Sequence, residues 1–236
     1  EICACLVGSE MCIRDSYNYT EGYGSYLIPA VMVIIIFQTL LMVIGMVTGE
    51  EHMTKGILAY TPFGKSWAVA IRIVSGKTFV YCSLYAVFSF FLLGLLPHFF
   101  SIPNIGNGLY IVLMMIPYLL ATSFLGLAAS RYFTDSEAPL LMIAFFSVGL
   151  IFLSGVSYPM ELMPWYWKLV HYLIPAAPAT MAYVKLNSMG ASMSEIQPEY
   201  ITLWVQCIFY FVTACLVYRY NIRKAVAKGT SLVITD

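Results

Sequence analysis

The stretch YLIPAVMVIIIFQTLLMVIGMV, residues Tyr26–Val47, decides the class of this protein because it contains no Asp, Glu, Lys, Arg or His. An α-helix needs about 20 apolar residues to cross the roughly 30 Å of hydrocarbon in a bilayer. Four further runs of similar length also lack these side chains: Thr78–Pro97, Leu109–Ser130, Pro139–Val156 and Tyr200–Tyr218. The sequence therefore predicts five membrane-spanning helices, at about residues 26–47, 78–97, 109–130, 139–156 and 200–218.

The composition excludes a soluble protein of this size. The 236 residues are 61% hydrophobic and 10% charged, with a mean hydropathy of +0.82, whereas a soluble domain is about one quarter charged. Five buried helices of a soluble protein are a poor alternative, because the connecting segments are too short to form a polar shell. The apolar runs also lack the alternation of barrel strands. We expect an all-α polytopic membrane protein, with short interfacial and re-entrant helices beside its spans.

The first sixteen residues, EICACLVGSEMCIRDS, do not fit this pattern. Leu6–Ser16 corresponds to the translation of a sequencing adapter, so we expect residues 1–16 to be non-native and the natural chain to be longer. This interpretation removes the three cysteines of that segment from consideration. The other three cysteines lie in apolar runs without metal-ligand spacing, so no metal or cofactor is expected: Cys82, Cys207 and Cys215.

The distribution of basic residues predicts the orientation in the membrane. Lys and Arg concentrate in the short loops on the cytoplasmic side. Of the twelve basic residues, Arg14 lies in the adapter-like segment, and nine of the other eleven fall on one side if five spans alternate. Only Lys168 and Lys185 fall on the other side. The sequence therefore predicts that residues 48–77 and the tail 221–236 are cytoplasmic, and that residues 157–195 are outside.

The predicted cytoplasmic loop begins TGEEHMTKGIL at Thr48. Thr48 and Glu51 have the spacing of a capping box, which predicts a short helix that starts just after the first span. Glu50 and Glu51 would lie in its first turn, where the helix dipole favours negative charge. The pattern does not distinguish a solvated helix start from a docking element. A second short helix is predicted over Trp67–Val74.

The sequence lacks motifs of nucleotide binding and catalysis. Residues 59–66, AYTPFGKS, differ from a phosphate-binding loop by Ala59 and lack the surrounding βαβ unit, so no ATP site is expected. The predicted spans contain no ionisable side chain that could relay protons. His52, His98 and His171 fall in three different loops and are expected to be surface residues. The sequence therefore predicts that the chain is not an enzyme.

The predicted outer segment opens with SYPMELMPWYW, Ser157–Trp167, and its prolines divide it into pieces too short to cross a membrane. Pro164 and Pro175 bound a predicted helix over Trp165–Ile174. A second helix is predicted at about Ala179–Ser188, with Gly190 beyond its end. Trp and Tyr side chains of the first helix are typical of the headgroup region. The hairpin could equally be an aromatic anchor with no further role.

Three short motifs, in this topological order, resemble those of type-2 ABC export permeases. Glu51, Thr54, Thr61 and Pro62 match a stretch after the second span of that family, although Met53 and Gly56 depart from it. Gly76-Lys77 matches a pair before the third span. The pattern before the last span is matched by Ser154, Gly155, Pro159, Met163, Pro164, Pro178 and Thr180. The resemblance covers Tyr17–Asp236.

The resemblance implies a fold and a set of partners. Residues 17–25 would be the end of a missing extracytoplasmic domain, and 26–220 the permease domain. Two separate ATP-binding subunits and a second permease, identical or homologous, would complete an exporter in the bacterial inner membrane. Contact with the ATPase would involve Glu50, Glu51, Thr54, Ile57, Leu58, Thr61 and Pro62. The outer hairpin would involve Ser154, Gly155, Pro159, Met163, Pro164, Trp165, Trp167, Pro178 and Thr180.

The uncharged spans predict a hydrophobic or amphiphilic substrate, drug-like or lipid-like, that is moved out of the cytoplasm. Two other classes of protein remain open. A polytopic membrane enzyme would need a polar cluster that faces one point, and no such cluster is visible in the sequence. A membrane scaffold that transports nothing would share the same pattern of spans, and only an assay distinguishes it.

Overall fold

The computed structural model describes residues 23–54, 67–99, 106–129, 132, 135, 137–156 and 163–233. Within these ranges the chain forms seven helices and no β-strand. The helices are α1 (Tyr23–Met53), α2 (Trp67–Ser89), α3 (Gly108–Ala129), α4 (Ala138–Leu153), α5 (Trp165–Leu173), α6 (Ala176–Met189) and α7 (Gln197–Val233). Helix α2 continues through a π-helical segment, Phe90–Leu95, and a last α-helical turn, Leu96–Phe99. The predicted all-α class is confirmed.

Four stretches of helix are long and apolar enough to cross a membrane: Leu27–Met53, Trp67–Leu95, Gly108–Ala129 and Gln197–Lys224. Helix α4 coincides with the remaining apolar run but has 16 residues, fewer than the about 20 of a typical span. The chain is therefore a polytopic membrane protein, with four full-length candidate spans and one shorter apolar helix in the described residues.

Two predicted helix boundaries are wrong. Helix α1 runs without interruption to Met53, so no separate helix begins at Thr48. The Thr48 hydroxyl donates backward to the carbonyl oxygens of Ile44, at 2.7 Å, and Gly45, at 3.1 Å, and caps nothing. A threonine inside a helix can bond to the preceding turn in this way. The predicted interfacial helix Trp67–Val74 is likewise the first two turns of α2.

The described chain forms two compact units, and the first includes the start of α1, the end of α2, helices α5 and α6, and the start of α7. The Tyr118 hydroxyl donates to the Val33 carbonyl at 2.7 Å. Helix α6 lies at the centre of this unit, since most of its side chains are buried, including Tyr183 and Leu186. Helix α5 is mostly exposed, and His171 is its buried residue. The first unit therefore contains both helices of the segment that was predicted to form a hairpin.

The second unit includes the end of α1, most of α2, the end of α3, the start of α4 and α7 from Trp204. Its interior joins these helices through close contacts between side chains. The Phe124 and Phe211 rings meet edge to face, with centroids 5.0 Å apart. The Cys82 sulfur lies 3.5 Å from the Ser123 hydroxyl oxygen. This unit carries both ends of the predicted cytoplasmic loop.

Candidate functional site

The strongest polar contact in the second unit joins the end of α1 to α2. The Lys77 ammonium donates to both carboxylate oxygens of Glu51, with 2.5 Å between Nζ and Oε1. The side chains are only 14% exposed for Lys77 and 23% for Glu51. Partial burial strengthens the attraction between opposite charges, because less water screens it. The ion pair therefore ties together the two helices that flank residues 55–66.

Helix α7 contributes a third group to this ion pair. The Tyr218 hydroxyl oxygen lies 3.3 Å from Lys77 Nζ. The same ammonium lies 5.2 Å from the centre of the Tyr218 ring, within the range of a cation–π contact. The last turn of α1 thus meets interior positions of α2 and α7 at one ammonium group. We call Glu51, Lys77 and Tyr218 the polar junction.

The predicted coupling residues are only partly described. Glu50 is exposed, and its carbonyl oxygen accepts hydrogen bonds from the Thr54 backbone N–H, at 2.9 Å, and hydroxyl, at 2.8 Å. These bonds complete the last turn of α1. Glu51 forms the ion pair with Lys77. Ile57, Leu58, Thr61 and Pro62 lie outside the described residues.

Sequence reasoning missed the pairing of Glu51 with Lys77. It assigned Glu51 to a helix cap and Lys77 to a short motif, and it did not connect the two positions. The available signal was an acidic residue shortly after one apolar run, Glu51, and a basic residue directly before the next run, Lys77. Oppositely charged groups at such positions are expected to pair, since an isolated charge near hydrocarbon is costly.

In the first unit, two short helices, α5 and α6, occupy the segment for which a hairpin was predicted. Helix α5 follows Pro164, whose backbone is extended (φ −57°, ψ 151°). Pro175 and Pro178 lie before and inside the first turn of α6, where a backbone N–H has no intrahelical partner. Gly190 ends α6 in the left-handed conformation, with φ 62°, as expected for a residue just beyond a helix.

The other predicted hairpin residues fall into buried and exposed groups. Ser154 is buried, and its hydroxyl donates to the Ile151 carbonyl at 2.6 Å. Gly155 has φ 81°, which explains why glycine suits this position. Met163, Pro178 and Thr180 are buried, and the Thr180 hydroxyl donates to the Ala176 carbonyl at 2.6 Å. Trp165 and Trp167 are exposed. Pro159 lies outside the described residues.

The predicted surface position of His171 is wrong. Its side chain is 2% exposed, and its Nδ1 lies 2.7 Å from the Leu153 carbonyl oxygen. A carbonyl only accepts, so Nδ1 carries the proton and donates. Burial lowers the pKa of His171, while the bond to Leu153 and the charge of Glu199 oppose that effect. His171 therefore lies on the side of α5 that packs against the end of α4.

The lowered pKa of His171 predicts a pH dependence. The folded chain favours the neutral ring, so this stabilisation is complete above the ordinary pKa of 6.5 and is lost as the pH falls through the lower folded pKa. We expect the melting temperature of the purified protein to fall in mildly acidic buffer, and His171→Asn to weaken that dependence. Asparagine keeps a donor for Leu153 but does not titrate. Equal pH dependence in both proteins would contradict this role.

A second ion pair lies in the first unit. The Lys185 ammonium of α6 donates to Glu199 Oε1 of α7 at 2.5 Å, and both side chains are less than a quarter exposed. This contact fixes the end of the hairpin to the following helix. In the described part of the chain, no group of three or more His, Cys, Asp or Glu side chains could hold a metal ion. Neither unit therefore offers a metal site within those residues.

Comparison with known protein families identifies the chain. The sequence profile described as "ABC-2 family transporter protein" matches residues 10–216. Curated proteins and solved structures gave no significant match. The profile covers well over half of the 236 residues, and the helical membrane fold agrees with it. The protein belongs to the ABC-2 transporter family and is a membrane permease subunit of an ABC transporter, which works with an ATP-binding subunit.

Proposed function

We propose that the permease pairs with a second permease, identical or homologous, and with two ATP-binding subunits to form an exporter. It would move a hydrophobic or amphiphilic substrate out of the cytoplasm across a bacterial inner membrane. Family membership supports a partner that supplies ATP hydrolysis. The long uncharged runs of the sequence support a hydrophobic or amphiphilic substrate, since a charge near hydrocarbon needs a partner.

The distribution of charge supports a cytoplasmic position for residues 48–77 and the C-terminal tail. Among the described residues, the second unit contains six basic residues, and the first contains two, Lys168 and Lys185. The six are Arg72, Lys77, Arg219, Arg223, Lys224 and Lys228. An excess of Lys and Arg is typical of the cytoplasmic side. The hairpin of α5 and α6 would then lie at the outer surface.

This topology predicts the labelling of single cysteines. On a background in which the natural cysteines are replaced by serine, Lys168→Cys should react with a membrane-impermeant maleimide in intact cells. The side chain lies on α5, whose aromatic residues suit the outer interface. Lys224→Cys on α7 is the matched control, and it should react only after permeabilisation. The opposite pattern would reverse the proposed orientation.

We further propose that residues 48–77 transmit the motion of the ATP-binding subunit. The observation that carries this proposal is the Glu51–Lys77 ion pair with Tyr218, because it links the last turn of α1, which precedes residues 55–66, to α2 and α7. A force on those residues would reach α1, α2 and α7 together through the polar junction. Glu50, Thr54, Ile57, Leu58, Thr61 and Pro62 are the proposed contact residues on this segment. The hairpin residues would shape the outer end of the pathway.

The exporter is tested by reconstitution. The permease, co-purified with its ATP-binding subunit, should accumulate a hydrophobic fluorescent dye in inside-out vesicles when ATP is supplied. A variant of the ATPase that binds but does not hydrolyse ATP provides the control. Uptake that is equal with and without ATP hydrolysis would contradict an ATP-driven exporter and would favour a scaffold.

A further inference from the structure

A groove on the surface of the second unit combines apolar walls with two arginines. Its volume is about 360 Å³, and it is lined by Leu216, Val217, Arg219, Tyr220 and Arg223 of α7. This volume falls within the roughly 300–1,000 Å³ of clefts that bind small molecules. Arg219 and Arg223 are four residues apart, so they lie on the same face of the helix. The groove therefore presents two positive charges beside hydrocarbon-like side chains.

The sequence of α7 indicates the level of the groove in the membrane. The uncharged run Tyr200–Tyr218 has the length of a span, and Arg219 is the next residue. The candidate span continues to Lys224, so it is longer than the hydrocarbon core requires. Arg219 and Arg223 are thus placed where hydrocarbon gives way to lipid headgroups. Phosphate groups of phospholipids occupy that level of a bilayer.

The Arg219 guanidinium is held in place by an aromatic ring. Its Cζ lies 4.1 Å from the centre of the Trp67 ring, at the start of α2. A guanidinium that stacks on a ring keeps its N–H donors in its own plane, where they can bind phosphate oxygens. The Nε atom of Arg219 is buried and makes no hydrogen bond within the described part of the chain.

The two arginines also repel each other. Arg223 acts on Arg219 as a like charge, and like charges on neighbouring turns destabilise a helix. A negative group between them would remove the repulsion and would add charge-assisted hydrogen bonds. The chemistry therefore favours an anion with several acceptor oxygens.

We propose that this groove binds the phosphate of an anionic phospholipid. Arg219 and Arg223 hold the phosphate, Trp67 positions the Arg219 guanidinium, and Leu216 and Val217 contact the adjoining acyl chain. The apolar walls and the depth at the membrane surface favour a lipid over a free phosphate ion. The binding would anchor the end of α7 beside the polar junction.

Native mass spectrometry of the full-length permease tests this site. Protein is reconstituted with phosphatidylglycerol or with zwitterionic phosphatidylcholine and then extracted into detergent. We expect phosphatidylglycerol to stay bound, and Arg219→Gln with Arg223→Gln to lower its retention about tenfold or more. Trp67→Leu should lower retention less, because the charge remains. Lys224→Gln is the matched control, since it removes a neighbouring charge outside the groove and should leave retention unchanged.

Three results would overturn the proposal. Equal retention of phosphatidylcholine would show that the groove does not select negative charge. Release of the lipid by millimolar inorganic phosphate would assign the site to a free ion. Wild-type retention in the double variant would exclude the arginines. If the double variant does not fold, the single Arg223→Gln variant decides the question, because this side chain is exposed and should still lose most of its bound phosphatidylglycerol.

Discussion

Glu51→Lys is expected to abolish ATP-driven transport while the permease still inserts into the membrane. The substitution removes the carboxylate that holds Lys77 and places a second ammonium beside it. Leaving a partly buried charged group without its partner costs about 1–3 kcal/mol, and repulsion adds to that cost. The last turn of α1 should then separate from α2. Dye uptake into vesicles and the ATPase rate, measured side by side, report transport and its coupling.

A charge exchange distinguishes the ion pair from a simple effect of charge. Lys77→Glu alone should also abolish transport, whereas the double variant Glu51→Lys/Lys77→Glu should recover a substantial part of it. Lys224→Glu is the matched control, because it makes the same charge change at an exposed position of α7, outside residues 48–77. It should preserve transport.

The outcome also tests how the polar junction acts. If the exchange variant recovers transport, the ion pair itself matters, and the identity of the residue at each end does not. If both single variants transport normally at wild-type expression, the junction does not transmit motion. ATP hydrolysis that continues without transport would indicate that the partner still binds but no longer drives the permease.

Gly106→Ala is expected to destabilise the first unit strongly. A Cβ atom added at Gly106 would overlap the Leu186 carbonyl oxygen of α6 and would lie 3.4 Å from the Asn187 Cα. These are backbone atoms, so α6 must move to admit the methyl group. Overpacking of this kind costs about 1–3 kcal/mol. The melting temperature of the purified permease in detergent measures the loss.

Two other glycines provide a graded control. Gly108→Ala, two residues away at the start of α3, meets nothing within 4 Å and should leave the melting temperature unchanged. Gly126→Ala should cost less than Gly106→Ala, because its new methyl group would meet the Ile44 side chain, with nearest atoms at 3.0 Å, and not the backbone. Equal effects at positions 106 and 108 would contradict the close approach of the two backbones.

The helices α5 and α6 show which features of the fold the local sequence can predict. Pro164, Pro175 and Gly190 predicted the ends of α5 and α6 to within a few residues, because the missing N–H of proline and the left-handed conformation of glycine act on the backbone where they stand. Thr48 shows the limit. Its capping spacing was present, yet the apolar helix before it continued, and the hydroxyl bonded inside the helix instead.

By itself, the sequence determined that this is an all-α polytopic membrane protein, since the thickness of the hydrocarbon core fixes the length of an uncharged run. The tertiary structure decided which distant groups meet. Lys77 pairs with Glu51 and contacts Tyr218, His171 is buried against the end of α4, and Gly106 lies against α6. Such contacts join residues far apart in the chain, and they depend on how helices pack, which no local pattern of residues encodes.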